Sequence, residues 1–140
     1  MKALDHLTLE QLEKDVWPDP NCTSHVVTTC HQLRKKRIGD FCVEDLRIML
    51  SQSIGVQYLL PKAIEILREN PFAEGDFFEG DLLVAVSRHP ENASLLASQD
   101  RDHLRIACVT AVKSRDPTLR GSDLSLVESL IRKLDGNTCK

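Results

Sequence analysis

The chain has 140 residues, of which 41% are hydrophobic and 28% charged, a composition that fits one globular domain and excludes a disordered chain. Only 4% are aromatic, so the core must be built from aliphatic side chains. The net charge of −3 is spread unevenly: residues 41–100 carry four basic and ten acidic groups, which, if they cluster in space, would attract a basic partner and repel nucleic acid.

Cysteine usage and the N-terminal sequence both favour a cytoplasmic protein. The five cysteines are an odd number and form no CxxC pair, which argues against a disulfide framework and is typical of a reducing compartment. The first residues lead into a charged, helix-like sequence rather than into the apolar segment of a secretory signal. No window is apolar enough to span a bilayer, so we expect no membrane association.

Two helices are predicted before residue 40. Thr8 is a good N-cap for the first, and Gln11 stands three residues later, as a capping box requires. The apolar face of this helix is formed by Leu9, Leu12 and Val16. Trp17 is followed by Pro18, which ends the helix. Ser24 caps the second helix, which is predicted to run to about residue 36.

A glycine separates the third and fourth predicted helices. The third covers residues 43–53, and Gly55 is its expected stop. Its inward side chains are Leu46, Met49 and Leu50. The fourth begins near Gln57 or Pro61 and runs to Glu69. Because proline is comfortable in a first helical turn, we expect the regular helix to start at Pro61.

A loop rich in acidic and aromatic residues comes next. We call residues 74–81, with the sequence EGDFFEGD, the acidic aromatic loop. Asp81 is predicted to cap a fifth helix over residues 82–88, which is apolar almost all round and is therefore expected to be buried. Pro90 can start a short helix that reaches about residue 98.

Two longer helices are predicted in the last third of the chain. The first begins at Asp100 or Asp102 and ends near residue 114, and its stripe is Leu104, Ala107, Cys108 and Ala111. Residues 116–121 mark a loop, and a cap at residue 122 or 123 opens the last helix, which residues 136–137 end. Its stripe is Leu124, Val127, Leu130, Ile131 and Leu134. With no alternating strand pattern of useful length, the sequence predicts an all-α, single-domain helical bundle of about seven helices over residues 1–140.

Four stretches of the chain carry a family resemblance. They are residues 9–17 (LEQLEKDVW), 41–55 (FCVEDLRIMLSQSIG), 58–63 (YLLPKA) and 74–83 (EGDFFEGDLL). In order and spacing, over roughly residues 8–88, they resemble the immunity proteins of bacterial contact-dependent growth inhibition (CDI) systems. The chain departs from the family pattern at Cys42, where we expect a Thr-type helix cap. Cysteine is a poorer cap than threonine, which puts the start of this helix in doubt.

The resemblance implies a role in binding rather than in catalysis. Such a protein lies in the cytoplasm of the producing bacterium, where it binds and blocks the C-terminal domain of a toxin delivered by a neighbouring cell. That cognate toxin domain is often a nuclease. The resemblance implies no cofactor and no enzymatic activity, and it assigns no binding residue.

The acidic aromatic loop is the candidate toxin-binding site. Its negative charge would steer the encounter with a basic nuclease surface, and phenylalanine would supply buried area. The candidate residues are Glu74, Asp76, Phe77, Phe78, Glu79 and Asp81. The same residues also fit a structural role, in which Phe77 and Phe78 fill the core, the glycines serve turns and the acids cap helices.

The basic run at residues 34–37, from Arg34 to Arg37, supports a second hypothesis, a helical regulator that binds nucleic acid. The run lacks interleaved aromatics and the whole chain is acidic, so a solvated helix end is the favoured interpretation. A zinc site is not supported by the spacing of its nearest candidates, Cys22, Cys30, His31 and Cys42. Adjacent Ser–His and Cys–His pairs do not by themselves indicate a nucleophilic triad, so we expect no metal and no catalytic site.

Overall fold

Seven α-helices and two 3-10 helices make up the regular structure of the computed structural model, which describes residues 4–19, 21, 24–114, 119 and 121–138. The α-helices are α1 (Leu9–Glu13), α2 (His25–Leu33), α3 (Val43–Ser51), α4 (Val56–Glu69), α5 (Asp81–Ser87), α6 (Ser98–Lys113) and α7 (Gly121–Thr138). The 3-10 helices are Ile38–Asp40 and Pro90–Leu95. Within the described ranges no β-strand forms, and Thr8 pairs with Arg37 in an isolated antiparallel bridge. The prediction of an all-α bundle is confirmed.

Local capping signals fix the starts of the first three helices. The Thr8 hydroxyl accepts a hydrogen bond from the Gln11 amide at 3.2 Å, and the Gln11 side chain accepts one from the Thr8 amide at 2.9 Å, so the capping box is confirmed. Ser24 caps α2 as predicted. At Cys42, the N-cap of α3, the backbone amide donates to the carboxylate of Asp45 at 3.1 Å. An aspartate at the third helical position thus compensates for the poor cap.

The first helix is shorter than its apolar pattern predicts. Lys14 adopts a left-handed conformation with φ 54° at the C-cap, so α1 ends at Glu13. Val16 therefore lies beyond the helix and is 71% exposed, and its assignment to the apolar face with Leu9 was wrong. A stripe position counts as core only if the helix reaches it.

Gly55 begins a helix instead of ending one. It is the N-cap of α4, with φ +63°, and a Cβ at this position would lie 2.7 Å from Cδ1 of Leu9. The third helix ends at Ser51, two residues earlier than predicted. The fourth begins at Val56, so Pro61 lies inside α4 rather than in its first turn, contrary to the prediction. Burial of the apolar side chains on both sides of the proline offsets the loss of its backbone hydrogen-bond donor.

The fifth helix is the buried centre of the bundle. All seven of its residues are buried, as its apolar sequence predicts, and it packs against α3, α7 and α4. Near the end of the helix, the Ser87 hydroxyl donates a hydrogen bond to the carbonyl of Leu83 at 2.8 Å, so this buried polar group is paired. The helix starts at Asp81 with Gly80 as N-cap. Asp81 was predicted to be the cap, and that prediction was wrong.

The last two helices close the bundle over this centre. The predicted stripe of α6 is buried in full, although the helix starts at Ser98, earlier than expected. In α7 the side chains of Val127, Leu130 and Leu134 are buried, and the helix packs against α5 and α6. The helix begins at Gly121, which was predicted to lie in the loop, and continues through the predicted stop at residues 136–137. Residues 116–118 and 120 of that predicted loop lie outside the described part.

The arrangement of α3 and α5 positions the candidate site. The two helices pack together, and nearly all buried apolar side chains of the described residues form one hydrophobic core. The acidic aromatic loop leads into α5 at Asp81, which binds the Gly75 amide, and the beginning of α3 contacts the loop through Glu44. None of the described helices is both long and apolar enough to cross a membrane.

Candidate functional site

The acidic aromatic loop turns some of its side chains to solvent and others to the protein. The exposed residues are Glu74, Asp76, Phe77 and Glu79. Phe78 is partly buried and packs against the core, whereas Asp81 is only 3% exposed. The structure therefore divides the six candidate residues, which share one segment of the sequence, into an outer set of four and an inner pair.

Asp81 holds the loop from the inside. Its Oδ1 accepts a hydrogen bond from the Gly75 amide at 2.6 Å, and its Oδ2 accepts from the amides of Phe77 at 3.1 Å and Phe78 at 3.4 Å. A carboxylate that is nearly inaccessible to water needs such partners, because an unpaired buried charge is costly. Asp81 thus satisfies backbone donors of the preceding loop instead of those of the helix that follows.

Two residues of α3, Glu44 and Arg47, which no sequence pattern singled out as site residues, also support the loop. The Oε1 of Glu44 accepts from the Asp76 amide at 2.9 Å. Both Glu44 oxygens also accept from Arg47, from Nε and from an Nη, at 2.6 Å each. The Arg47 Nε lies 4.0 Å from Oδ2 of Asp81. We call these three side chains the Glu44–Arg47–Asp81 network.

The electrostatics within this network favour the charged forms of Glu44 and Arg47. The hydrogen bonds from Arg47 hold the pKa of the Glu44 carboxyl below its ordinary value, and the Asp76 amide contributes in the same direction. The hydrogen bond to Glu44 raises the pKa of Arg47 in turn. Burial opposes both shifts but is the smaller effect. Glu44 and Arg47 therefore form a charged, bidentate ion pair at neutral pH.

Gly75 permits the close approach of the two carboxylates. A Cβ at this position would lie 2.6 Å from Oε1 of Glu44 and 3.1 Å from Oδ2 of Asp81. Any larger residue would push one of the carboxylates away from the loop amides. A glycine is therefore needed here for the loop backbone to lie close to both carboxylates.

Phe77 does not fill the core. Its side chain is 69% exposed, and the Arg47 guanidinium carbon lies 4.2 Å from the ring centroid, a cation–π contact. The alternative in which both phenylalanines fill the core therefore holds for Phe78, which packs inward, but not for Phe77. A large apolar ring held at the surface among exposed carboxylates is the most unusual feature of the loop.

The comparison with protein families bears on this segment. A family model described as CDI immunity proteins matches residues 11–104, more than half of the chain. The chain belongs to the CDI immunity proteins. The match includes the whole acidic aromatic loop and its supporting network, so the resemblance found in the sequence is confirmed. No curated protein and no solved structure matches the chain.

In this CDI immunity protein, the basic run at residues 34–37 is not a free cationic patch. Arg34 is 1% exposed; it donates to Glu13 at 2.6 Å and to the Asp15 carbonyl at 2.9 Å, and its guanidinium carbon lies 4.1 Å from the Trp17 ring centroid. The expectation of a solvated helix end was wrong for this residue. The chain passing over α2 buries it.

The other three cations of the run face carboxylates. Lys36 contacts Asp45 at 2.7 Å, and Arg37 contacts Asp40 at 3.1 Å. A third pair joins Lys35 to Asp19 at 3.8 Å. With its charge matched in this way, the run does not favour the nucleic-acid-binding alternative.

The residues weighed above as zinc ligands, whose spacing did not support a zinc site, form no cluster in the described residues. Cys30 is buried, and burial raises the pKa of its thiol, whereas Cys42 is exposed at the start of α3. His31 lies with its ring 5.1 Å from that of Trp17, edge to face. Cys22, the remaining candidate, lies outside the described residues. No group of three or more potential metal ligands occurs in the described part.

Proposed function

We propose that this CDI immunity protein neutralises the cognate C-terminal toxin domain by stoichiometric binding, and that the acidic aromatic loop is the binding surface. The main support for this choice of surface is the exposed ring of Phe77, which lies among three exposed carboxylates. The loop backbone beneath it is held by hydrogen bonds from its amides to Glu44 and Asp81. Family membership supports the neutralising role, and the geometry of the loop supports its assignment as the toxin-binding surface.

The loop combines the two properties that protein recognition requires. Acidic side chains around the ring accelerate the encounter with a basic surface, and the net charge of −3 acts in the same direction. Exposed aromatic rings become binding hot spots when a partner removes them from water. Because the backbone is already ordered, binding does not have to pay for ordering it.

The partner that fits this surface is a basic protein face, as a nuclease presents to its nucleic acid substrate. We propose that the loop covers that face in the cytoplasm of the producing bacterium and that inhibition needs no cofactor. We also propose that residues 1–140 act as one immunity-protein domain, which the continuous core of the described helices supports.

Binding to the toxin domain encoded just upstream tests the function. The purified pair should form a complex with a dissociation constant of about 1 nM or below. Reversal of the charges at Glu74, Asp76 and Glu79 to lysine should slow association by about 10- to 100-fold at low salt and weaken its salt dependence. The matched control reverses three exposed carboxylates elsewhere, namely Glu65, Glu69 and Glu91.

Each outcome decides one part of the proposal. If the two proteins do not co-purify, the neutralising role by direct binding is wrong. If the loop variant folds and associates as fast as the wild type, while the control variant is slow, the binding surface lies elsewhere. Retention on heparin that falls steeply with salt would instead support a nucleic-acid-binding function.

A further inference from the structure

We propose that Arg47 is a positioning residue for toxin binding, because it fixes both the backbone of the acidic aromatic loop and the ring of Phe77 before the partner arrives. This inference rests on the proposed function of the loop. It assigns to a residue of α3, outside the loop, control over the shape of the binding surface.

The first step concerns the loop backbone. Glu44 and Asp81 together accept hydrogen bonds from four consecutive loop amides. The amides belong to Gly75, Asp76, Phe77 and Phe78. The conformation of the outer side chains therefore depends on two carboxylates that stay close together beneath the loop.

The second step concerns the charge between those carboxylates. Oxygens of both acids approach the same point beside Gly75, within 2.6 Å and 3.1 Å of where a Cβ would lie. Two carboxylates that both approach one point in this way repel each other unless a cation lies near them. Arg47 supplies the cation, at 2.6 Å from Glu44 and 4.0 Å from Asp81. Its side chain is only 13% exposed, so water screens the repulsion poorly if the cation is lost.

The third step concerns the ring. Phe77 is 69% exposed, and the guanidinium of Arg47 lies against one of its faces. This contact holds the ring in one orientation and leaves much of its surface open to a partner. The same arginine therefore orders the loop backbone and holds the Phe77 ring in position for a partner.

The positioning role and a purely electrostatic role predict opposite results for Arg47→Met. Loss of a positive charge beside an acidic surface should strengthen attraction of a basic toxin, which would tighten binding. If Arg47 positions the loop, the same substitution should weaken binding by about tenfold or more, mainly through faster dissociation. Arg47→Lys keeps the charge without the bidentate contact and should fall between wild type and Arg47→Met.

The experiment measures the free protein and the complex separately. Hydrogen exchange of the full chain alone should show the four loop amides exchanging about tenfold faster or more in Arg47→Met than in wild type. Binding kinetics with the toxin domain then give the change in dissociation. Arg105→Met, which removes an arginine paired with Asp135 at 2.6 Å between α6 and α7, is the matched control and should change neither readout.

Two results would overturn the inference. Unchanged protection of the four amides in folded Arg47→Met, or in Arg47→Lys if the methionine variant fails to fold, excludes the ordering role. Lost protection with equal or tighter toxin binding excludes the link to recognition. If the wild-type chain does not bind the toxin domain, the proposed function fails, whereas the exchange data still decide whether Arg47 orders the loop.

Discussion

The guanidinium of Arg47, in α3, lies 4.2 Å from the ring centroid of Phe77, in the loop before α5. This contact joins a side chain of α3 that is only 13% exposed to the most exposed ring of a phenylalanine, tyrosine or tryptophan among the described residues. On its inner side the same guanidinium binds Glu44, which in turn accepts from the Asp76 amide. A surface side chain is thus fixed from the core outwards, as an anchor for a partner requires.

Phe77→Ala should weaken toxin binding without unfolding the protein. The ring is 69% exposed, so its loss should change the free energy of unfolding by no more than about 1 kcal/mol. An aromatic anchor removed from an interface should raise the dissociation constant by about 10- to 100-fold. Urea unfolding and binding kinetics measure the two quantities.

A second exposed apolar side chain offers the control for that experiment. Ile106, on α6, is 60% exposed and lines a groove between α4 and α6. Ile106→Ala should leave toxin affinity unchanged. The reverse result, with affinity lost in Ile106→Ala and kept in Phe77→Ala, would place the binding surface at that groove instead of the loop.

Local features of this fold were predictable because their causes lie within a few residues. The capping box of Thr8 and Gln11 joins residues three apart, and the stripe that includes Leu104 and Cys108 follows the period of a single helix. Gly55 was located correctly but assigned to the wrong helix, since a left-handed glycine can follow one helix or precede the next.

The candidate site was only half predictable for a related reason. The composition of the loop predicted a surface for a basic partner, which stays a prediction. The support of the loop could not be predicted, because it comes from α3 through a hydrogen bond between residues 32 apart. The spacing of Glu44 and Arg47 signals an ion pair on a helix, yet not what it contacts. Burial of Arg34 likewise depends on where the segment after α1 passes, which no local pattern records.

The network predicts a contribution to stability that disappears in acid. The pKa of Glu44 in the folded protein lies below its ordinary value of 4.5, chiefly because of Arg47. Its contribution is therefore fully present above about pH 4.5 and is lost as the pH falls through the lower folded value. Glu44→Gln should reduce the free energy of unfolding by about 1–3 kcal/mol at neutral pH.

The sign of that pH effect is checked by urea unfolding at several pH values. The difference between wild type and Glu44→Gln should shrink as the pH is lowered from about 5 to about 3. Glu65→Gln, at an exposed position of α4, should show little difference from wild type at any pH. A difference at Glu44 that stays constant down to about pH 3 would contradict the assigned shift.

Thiol reactivity should separate Cys42 from Cys108. Burial raises the pKa of Cys108 to about 12, so almost none of its thiol is ionised at neutral pH, and its side chain is closed to reagents. Cys42 is exposed at the N-cap of α3. Peptide mapping after brief iodoacetamide treatment should find Cys42 modified in the native protein and Cys108 modified only in urea. Equal rates in the native protein would show that α6 opens readily.

Arg34→Met should be among the most damaging single changes outside the apolar core. It removes a buried cation from Glu13 and from the Asp15 carbonyl, and it takes away the group against the ring of Trp17. Loss of one partner of a buried pair should lower the free energy of unfolding by about 2–4 kcal/mol.

The sole tryptophan of the chain reports this change directly. Trp17 emission should shift to longer wavelength in folded Arg34→Met, because the ring loses its cover and becomes wetter. Arg37→Met, which removes an exposed partner of Asp40, should change stability by less than about 0.5 kcal/mol and leave the emission unchanged. Equal effects of the two substitutions would mean that Arg34 is as exposed to solvent as Arg37. The basic run would then again be a candidate surface for nucleic acid, since only exposed cations neutralise phosphates.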